Sequence, residues 1–296
     1  MKALVLTGGS IKGAWAAGAI KAVLEAGFVP DIITGISVGA LNGAYLTNDI
    51  AKQNDWILAG INLTDFWITR IKQPGDIFKK KSGARIALDI LRKRFDGIVS
   101  VKPLWELVED TIKVENLQRS PVKYFCGYVN IRTGEILYSN NHNETLCIDS
   151  IIASTAIPIT MPLVNGIFAD GGLRDNAPLK TAIDNGATEI IVIATLPETL
   201  DYYDGNLGNV MEYADRLMEI IVNNTLNDDL KEVERINGIC RRWIPADSHT
   251  NAADKREIGI KVIRPATQIK ISLDSFTEKD IARTIDEGYA TAKANL

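Results

Sequence analysis

A serine between two glycines is the residue in this sequence that most directly suggests covalent chemistry. In the stretch GISVG, Ser37 lies between Gly35 and Gly39, which fits the pattern G-x-S-x-G. In that pattern, a tight turn from a strand into a helix presents the serine hydroxyl as a nucleophile. The run DIIT before the turn and the run ALNGAYL after it predict the strand and the helix that it requires. Ser37 is therefore a candidate nucleophile, and the alternative is a serine that only caps the helix.

A serine nucleophile needs a group that accepts its proton. The chain has two histidines, His142 and His249, and both lie in polar stretches that predict surface loops. In α/β-hydrolases the triad follows the order serine, acid, histidine, and only His249 could fill the last place. Because the G-x-S-x-G turn follows only the second predicted strand, the pattern favours a different base.

Asp170 offers such a base. It ends the apolar run GIFAD and is followed by Gly171 and Gly172, which allow the backbone to turn sharply. A carboxylate is a weaker base than imidazole, with a reference pKa of about 3.9, so it depends on close positioning and limited solvation. Judged by its neighbours alone, an Asp-Gly pair more often marks a simple β-turn.

The loop after the first predicted strand, TGGSIKGAWAAG, is rich in glycine. A dinucleotide fingerprint would need glycine where Ser10 stands, and a P-loop would need lysine and then serine or threonine after Gly13. An oxyanion hole needs only backbone N–H groups held in place, which Gly8, Gly9 and Ser10 could supply. The other interpretation is that the glycines let strand and helix pack closely.

Together, these three segments resemble the patatin-like phospholipases, in which a glycine-rich loop, a G-x-S-x-G turn and a D-G-G or D-G-A motif follow in this order. The lead-in ASTAIPITMP and the following DNAP are also similar to that family's pattern. The resemblance extends over essentially the whole chain and is strongest over 2–50 and 150–180. It implies that Ser37 is the nucleophile and Asp170 its base, with no catalytic histidine.

The resemblance also assigns supporting positions. It implies that backbone amides around Gly8, Gly9 and Ser10 hold the oxyanion. Further positions support the motifs, namely Lys12, Gly13, Gly35, Gly39, Gly171 and Gly172. Two residues depart from the family's usual pattern. Ser10 stands where a third glycine is frequent, which makes a positive φ harder to adopt, and Lys12 replaces a frequent arginine, which keeps the charge but loses the rigid fork.

By resemblance, the expected function is that of a serine esterase or phospholipase that hydrolyses acyl esters of (phospho)lipids through an acyl-enzyme. Asp170 would take the proton as Ser37 attacks the ester carbonyl, and would then activate the water that releases the acid. No metal or cofactor is expected, and the sequence has no acidic loop with calcium-ligand spacing. The alternatives are an acyltransferase or thioesterase that uses the same dyad, and a non-catalytic lipid-binding module.

The surrounding pattern predicts a sheet that can position these loops. Short β-rich runs alternate with helical patterns, which implies an α/β fold, a three-layer α/β/α sandwich with a mostly parallel central sheet, as the patatin-like resemblance also implies. A capping box of Ser275 and Glu278 is predicted to begin the last helix. The predicted strands are 2–7, 31–34, 122–130, 135–139, 189–195 and 260–265, and the predicted helices are 13–26, 38–50, 103–113, 178–186, 211–236 and 276–295.

One domain is predicted over residues 1–296, with 52–118 as a cap-like insertion over the core. The part 52–100 shows the least regular pattern. Within it, residues 70–94 carry nine basic and two acidic side chains, a local charge of +7 in a chain whose net charge is −4. Apolar residues are interleaved with these charges, so the segment could lie on an anionic membrane surface or form an ordinary solvated helix face.

The composition narrows the classes of partner. Both charge signs are spread along the chain, which argues against nucleic acid as a partner, and no run reaches the 18 apolar residues of a bilayer-spanning helix. The start MKALVLTGGS has too short an apolar run for a secretory signal, and three cysteines without metal-type spacing suit a reducing compartment. We therefore expect a cytoplasmic protein, peripheral at membranes, that acts on a lipid or another acyl ester.

The identity of the base can be tested by comparing three variants. Asp170→Asn should lower ester hydrolysis nearly as far as Ser37→Ala, by on the order of 10³-fold or more, because Asp170 is expected to be the sole base. His249→Ala should keep the parent activity. Hydrolysis of a chromogenic acyl ester by the purified, folded variants measures both effects. Activity that survives in Asp170→Asn but is lost in His249→Ala would support a triad instead.

Overall fold

The computed structural model describes residues 1–143, 146–243 and 257–296, so His249 lies outside the described residues. Its strands are β1 (Lys2–Leu6), β2 (Ile32–Ile36), β3 (Lys79–Lys80), β4 (Val99–Ser100), β5 (Lys123–Asn130), β6 (Glu135–Asn140), β7 (Phe168–Asp170), β8 (Glu189–Ile193) and β9 (Gly259–Ile263). Its helices are α1 (Gly13–Glu25), α2 (Val38–Gln53), α3 (Trp56–Arg70), α4 (Gly83–Leu91), α5 (Lys102–Thr111), α6 (Val114–Arg119), α7 (Ile148–Thr155), α8 (Leu179–Asp184), α9 (Val210–Trp243) and α10 (Glu278–Asn295). Short 3₁₀ turns cover Ser10–Lys12, Pro74–Asp76 and Gly171–Leu173.

Seven of these strands form one mixed sheet in the order β6-β5-β2-β1-β8-β9, with β7 also paired to β5. The neighbours from β5 to β9 in this order run parallel, whereas β6 and β7 run antiparallel to β5. Apolar runs such as KALVL and EIIVI suit parallel strands, because helices cover both of their faces. The mostly parallel sheet that the sequence predicts is therefore confirmed.

Alternate residues of β1 face two different hydrophobic clusters. Leu4 and Leu6 belong to the larger cluster, to which α1, α2, α3, α7 and α10 contribute. Ala3 and Val5 belong to a second cluster, to which α8 and α9 contribute. Successive side chains of a strand point to opposite faces, so helices flank the sheet on both sides in the expected α/β/α sandwich.

The prediction that residues 52–100 are the least regular part of the chain is wrong, because the segment contains α3 and α4. Asp55 caps α3 by accepting a hydrogen bond from the Leu58 amide, at 3.0 Å. Leu63, Phe66 and Trp67 are buried in the main cluster at helical spacing. This amphipathic spacing was a readable signal for α3.

The predicted capping box of the last helix is also wrong by two residues. Thr277 is the N-cap of α10, and its hydroxyl accepts a hydrogen bond from the Asp280 amide. In return, the Asp280 carboxylate accepts a hydrogen bond from the Thr277 amide at 3.0 Å. Thr277 and Asp280 have the same spacing as Ser275 and Glu278, so the sequence spacing is compatible with either capping box.

Helices α1 and α10 meet almost backbone to backbone. A Cβ atom on Gly18 would lie 2.0 Å from the Ile285 carbonyl oxygen, and one on Gly288 would lie 2.0 Å from the Trp15 carbonyl oxygen. Only glycine permits so close an approach. The glycine-rich loop leads directly into α1. The contact with α10 therefore also fixes the position of the helix at the end of that loop.

Gly288→Ala should lower the free energy of unfolding by roughly 1–3 kcal/mol or more, because a methyl group there must push two helix backbones apart. Gly83→Ala is the matched control in another helix. A Cβ atom there would meet nothing within 4 Å, so the change should be within about 0.5 kcal/mol. Chemical denaturation of both variants measures the difference, and equal losses would contradict the packing argument.

Candidate active site

Ser37 lies at the turn between β2 and α2, in a strained backbone conformation. Its φ is 56° and its ψ is −128°, a region that non-glycine residues rarely adopt. The side chain makes no capping hydrogen bond to α2, so the helix-cap alternative does not describe it. A Cβ on Gly35 would lie 2.5 Å from the Gly39 carbonyl oxygen, and one on Gly39 would lie 2.3 Å from that of Leu6. The two glycines therefore let the turn pack against β1 and α2.

The register of β5 brings Asp170 to this turn. Strand β2 pairs with β5 as far as Ile36 opposite Gly127, and β7 continues with Asp170 opposite Tyr128. Since β6 takes the other edge of β5, β2 and β7 follow one another along the same edge. Ser37 comes directly after the last residue of β2, so it reaches the end of β7.

The Ser37 and Asp170 side chains border the same small cavity, and the Ser37 hydroxyl favours the ionised form of the Asp170 carboxyl. Asp170 is 2% exposed, and its Oδ1 also accepts a hydrogen bond from the Gly172 amide at 2.8 Å. Burial raises the pKa of Asp170 to about 6, although the Ser37 hydroxyl and the hydrogen bond from the Gly172 amide act in the opposite direction. The arrangement pairs a serine hydroxyl with an unusually basic carboxylate, as proton transfer from serine would require.

Ser154, at the end of α7, holds the turn in place and was not found from the sequence. The Ser37 amide donates a hydrogen bond to the Ser154 hydroxyl oxygen at 2.8 Å. The Ser154 hydroxyl in turn donates to the Gly127 carbonyl at 2.6 Å. Ser154 belongs to the lead-in ASTAIPITMP, which was the only signal for it.

The glycine-rich loop lies against Ser37 on the other side. A Cβ on Gly8 would lie 3.0 Å from the Ser37 Cβ. The Gly8 amide, however, donates to the Asn176 side chain at 2.9 Å, so it is not free to bind an oxyanion. Asn176, in the stretch DNAP, is a second residue that sequence reasoning left without a role.

The next two amides of the loop are free to donate. Among the described residues, none accepts a hydrogen bond from the Gly9 or Ser10 amide. Gly9 has φ 151°, and a Cβ on it would lie 2.0 Å from the Thr195 hydroxyl oxygen, so glycine is required there. Ser10 has φ 56°, so this serine does adopt the positive φ for which glycine is better suited. The loop therefore offers two donors at Gly9 and Ser10 instead of three.

Lys12 is buried beside the loop and pairs with helix α9. Its Nζ lies 2.7 Å from the Glu219 carboxylate and 3.8 Å from that of Asp215. Burial by itself would lower the pKa of Lys12, but Asp215 and Glu219 outweigh burial and raise it, so Lys12 stays a cation. Arg216 also binds Glu219, at 3.0 Å. The lysine thus ties the loop to α9 and does not point toward the dyad as a free charge.

Helix α9 covers the cavity that Ser37 and Asp170 border. Ser37 and Asp170 border a cavity of only about 30 Å³, which Met218 and Val222 of α9 help to close. An apolar cavity of about 50 Å³ also reaches Ser37, and a larger one of about 650 Å³ lies beside Lys12. Both side chains are nevertheless buried, since Ser37 is 6% and Asp170 2% exposed.

Two further observations concern other kinds of site. Within the described parts of the chain, no group of three or more His, Cys, Asp or Glu side chains is placed to hold a metal ion. In the same parts, no helix combines the length and the hydrophobicity needed to cross a membrane.

Comparison with known proteins places this arrangement in a family. The family model for patatin-like phospholipases matches residues 4–183, which contain all three motif segments. The chain is 26% identical over 198 residues to neuropathy target esterase sws of Drosophila melanogaster, covering 64% of this chain and 12% of that protein. It is 26% identical over 208 residues to the uncharacterized protein YjjU of Escherichia coli K12, covering 68% and 53%.

Two more proteins are similar to this chain. Glutamine–fructose-6-phosphate aminotransferase (isomerizing) of Methanocaldococcus jannaschii is 26% identical over 141 residues, which are 47% of this chain and 13% of that protein. The crystal structure of VipD from Legionella pneumophila aligns with 99% of this chain and 66% of that chain, with a TM-score of 0.44 and 14% identity. The chain spans between 12% and 53% of the length of the three curated relatives.

The buried charge at Asp170 should oppose folding at neutral pH. Its folded pKa of about 6 exceeds the ordinary value of 3.8, so the folded state holds the proton more tightly, and stability is lost as the pH rises from about 4 to 6. Asp170→Asn should therefore raise the free energy of unfolding at pH 7.5 by on the order of 1–3 kcal/mol, with a smaller gain at pH 4.5. Denaturation curves at both pH values measure it. The exposed Asp184→Asn is the control and should show no such gain.

Proposed function

Because the chain belongs to the patatin-like phospholipase family, we propose that it hydrolyses acyl esters of lipids with Ser37 as nucleophile and Asp170 as base. The observation that carries this proposal is the meeting of Ser37, at a strained turn, with the buried Asp170 carboxylate on the wall of one small cavity. Strain and a perturbed pKa at one place are typical of functional sites.

In the proposed reaction, the Ser37 oxygen attacks the ester carbonyl as its proton passes to Asp170. The negative charge on the carbonyl oxygen is stabilised by the Gly9 and Ser10 amides. Collapse of the tetrahedral intermediate expels the alcohol, which takes the proton from Asp170 and leaves an acyl-enzyme. Asp170 then removes a proton from water, the resulting hydroxide attacks the acyl carbonyl, and the proton returns to Ser37 as the acid leaves.

The apolar cavity beside Ser37 supports a hydrocarbon chain as the acyl group. It is lined almost entirely by apolar side chains, and it begins at Ser37 and Ser10. Trp67, Ile71 and Ile77 form part of its wall. These three lie within 52–118, which agrees with our proposal that this region acts as a cap over the site.

Contact with a lipid surface is the second part of the proposal, and α4 supports it. Asp89 is the one buried residue of this helix, and its carboxylate binds Arg85 at 2.8 Å, while Ile90 and Leu91 are 56% and 81% exposed. This is the reverse of an ordinary surface helix, which buries its apolar residues. Basic residues follow at 92–94 and are exposed too. Apolar and basic residues exposed together suit an anionic bilayer, so we propose a cytoplasmic protein that attaches peripherally to membranes.

The outer face of α9 supports the same contact. Between residues 210 and 221, every exposed residue of the helix is hydrophobic, namely Val210, Tyr213, Leu217, Ile220 and Ile221. Met218 and Val222 on the opposite face close the dyad cavity. A lipid surface that binds the outer face would therefore act on the helix that encloses the dyad, which is how we propose the substrate gains access.

An active-serine probe gives the direct test of the reaction. A fluorophosphonate should modify the protein at Ser37, with mass spectrometry of the labelled peptide identifying the site. The labelling rate should fall as the pH drops below about 6, because protonated Asp170 cannot accept the serine proton. Asp170→Asn should lose labelling. A folded protein that stays unlabelled, with detergent or lipid present, would favour the non-catalytic lipid-binding alternative.

Membrane attachment is tested by removing charge from the end of α4. Changing Arg92, Lys93 and Arg94 to Gln should weaken binding to vesicles of phosphatidylcholine and phosphatidylserine by about 10- to 100-fold at low salt, since each cation near an anionic surface contributes about 1 kcal/mol. The parent protein should lose binding as salt is added. Vesicle co-sedimentation measures both effects.

The matched control removes three exposed cations elsewhere, by changing Arg132, Lys180 and Lys231 to Gln. It changes the net charge by the same amount but should leave vesicle binding close to that of the parent. If the two triple variants bind equally, the end of α4 is an ordinary solvated helix face.

A further inference from the structure

The Ser10 hydroxyl has no role in the reaction described above, yet its position is unfavourable in two respects. Its Oγ is buried and, within the described residues, has no hydrogen-bond partner. Its backbone adopts φ 56°, which glycine would adopt without strain. Buried polar groups are nearly always paired, so an unpaired one in a folded protein requires an explanation. Glycine at this position would remove both unfavourable features.

The place of Ser10 suggests what that hydroxyl binds. Ser10 borders the dyad cavity together with Ser37 and Asp170, and it also borders the apolar cavity that begins at Ser37. The carbonyl of an acyl ester must lie where these two cavities meet, with its carbon at Ser37 and its chain in the apolar cavity. Ser10 is therefore next to the position of the carbonyl oxygen.

The loop has only two backbone amides that could bind the oxyanion, so a third donor could still contribute. The Gly8 amide is held by Asn176, which leaves the amides of Gly9 and Ser10 for the oxyanion. The other polar groups of the loop are also engaged, since Lys12 is bound to Glu219 and Thr195 donates to the Gly8 carbonyl at 2.5 Å. The Ser10 hydroxyl, by contrast, has no competing partner among the described residues.

We propose that the Ser10 hydroxyl is a third donor to the oxyanion and hence a catalytic residue of this chain. This inference rests on the proposed esterase function. Among the described residues the hydroxyl has no acceptor. In the tetrahedral intermediate it donates a hydrogen bond to the negatively charged oxygen. The proton stays on Ser10, and no covalent bond to Ser10 forms or breaks. A donor aimed at charge that develops during the reaction acts on kcat more than on KM.

Two substitutions separate this role from a structural one. Ser10→Gly removes the hydroxyl and also relieves the strain at positive φ, whereas Ser10→Ala removes the hydroxyl and keeps the strain. Both should lower kcat by about 10- to 1000-fold, as loss of one oxyanion donor does, with little change in KM. Ser10→Gly should at the same time raise the melting temperature. A more stable but slower enzyme is not the result expected of a residue that only supports the loop.

Asn54→Gly is the matched control. Asn54 also has a positive φ, 49°, but it lies exposed at the end of α2, away from the dyad. This change should raise the melting temperature without changing kcat. Kinetics on a short-chain acyl ester and thermal melts of all variants provide the measurements.

Each outcome bears on one proposal. If the parent hydrolyses the ester, Ser37→Ala does not, and Ser10→Gly is as fast as the parent, the role of the Ser10 hydroxyl is overturned while the esterase function stands. If Ser10→Gly and Ser10→Ala are both slower at unchanged KM, the role is supported. If the parent neither hydrolyses the ester nor reacts with a fluorophosphonate, the esterase function fails, and the role of Ser10 fails with it.

Discussion

One edge of β5 is shared by two strands that run in opposite directions, and the candidate site depends on this arrangement. Strand β2 occupies the edge up to Gly127, and β7 occupies it from Tyr128 onward. Where the two strands meet, Ser37 leaves β2 and Asp170 ends β7. Two positions at this junction need glycine, because a Cβ on Gly127 would lie 2.5 Å from the Ile36 side chain and one on Gly171 would lie 2.5 Å from the Gly127 carbonyl oxygen. Ladder hydrogen bonds thus set the separation of the proposed nucleophile and base, which side-chain packing alone would set less firmly.

Backbone strain is also present at this place. Among the described residues, six that are not glycine have a positive φ. Two of them, Ser10 and Ser37, border the cavity that also contains Asp170, and Ile159 lies in an exposed turn of the lead-in ASTAIPITMP. A β-branched residue such as isoleucine is rarely found there. Strain of this kind persists only where surrounding contacts hold it, and here the Ser154 and Asn176 side chains bind the neighbouring amides.

The loop and the roof of the site are joined by a buried charge pair. Lys12 lies at the end of the glycine-rich loop, and Glu219 and Asp215 belong to the turns of α9 that cover Ser37 and Asp170. Separating a buried ion pair leaves each charge without compensation. The pair therefore disfavours movement of α9 away from the loop. The outer face of the same helix exposes hydrophobic residues. We propose that a lipid surface binds these residues and so draws the helix away from the site. Closure in water and opening at lipid are thus the two properties that we propose for α9.

The sequence by itself determined the mostly parallel sheet and the positions of the three motif segments, because apolar periodicity, glycines and turn residues are local signals. It also indicated Ser37 and Asp170, since each lies in a short pattern with its own backbone requirement. The pairing partners were decided by the tertiary structure. Ser154 binds the Ser37 amide across 117 positions, Asn176 binds the Gly8 amide across 168, and Glu219 binds Lys12 across 207. No local pattern encodes such contacts, because they exist only once the strand order has brought distant segments to one edge of the sheet.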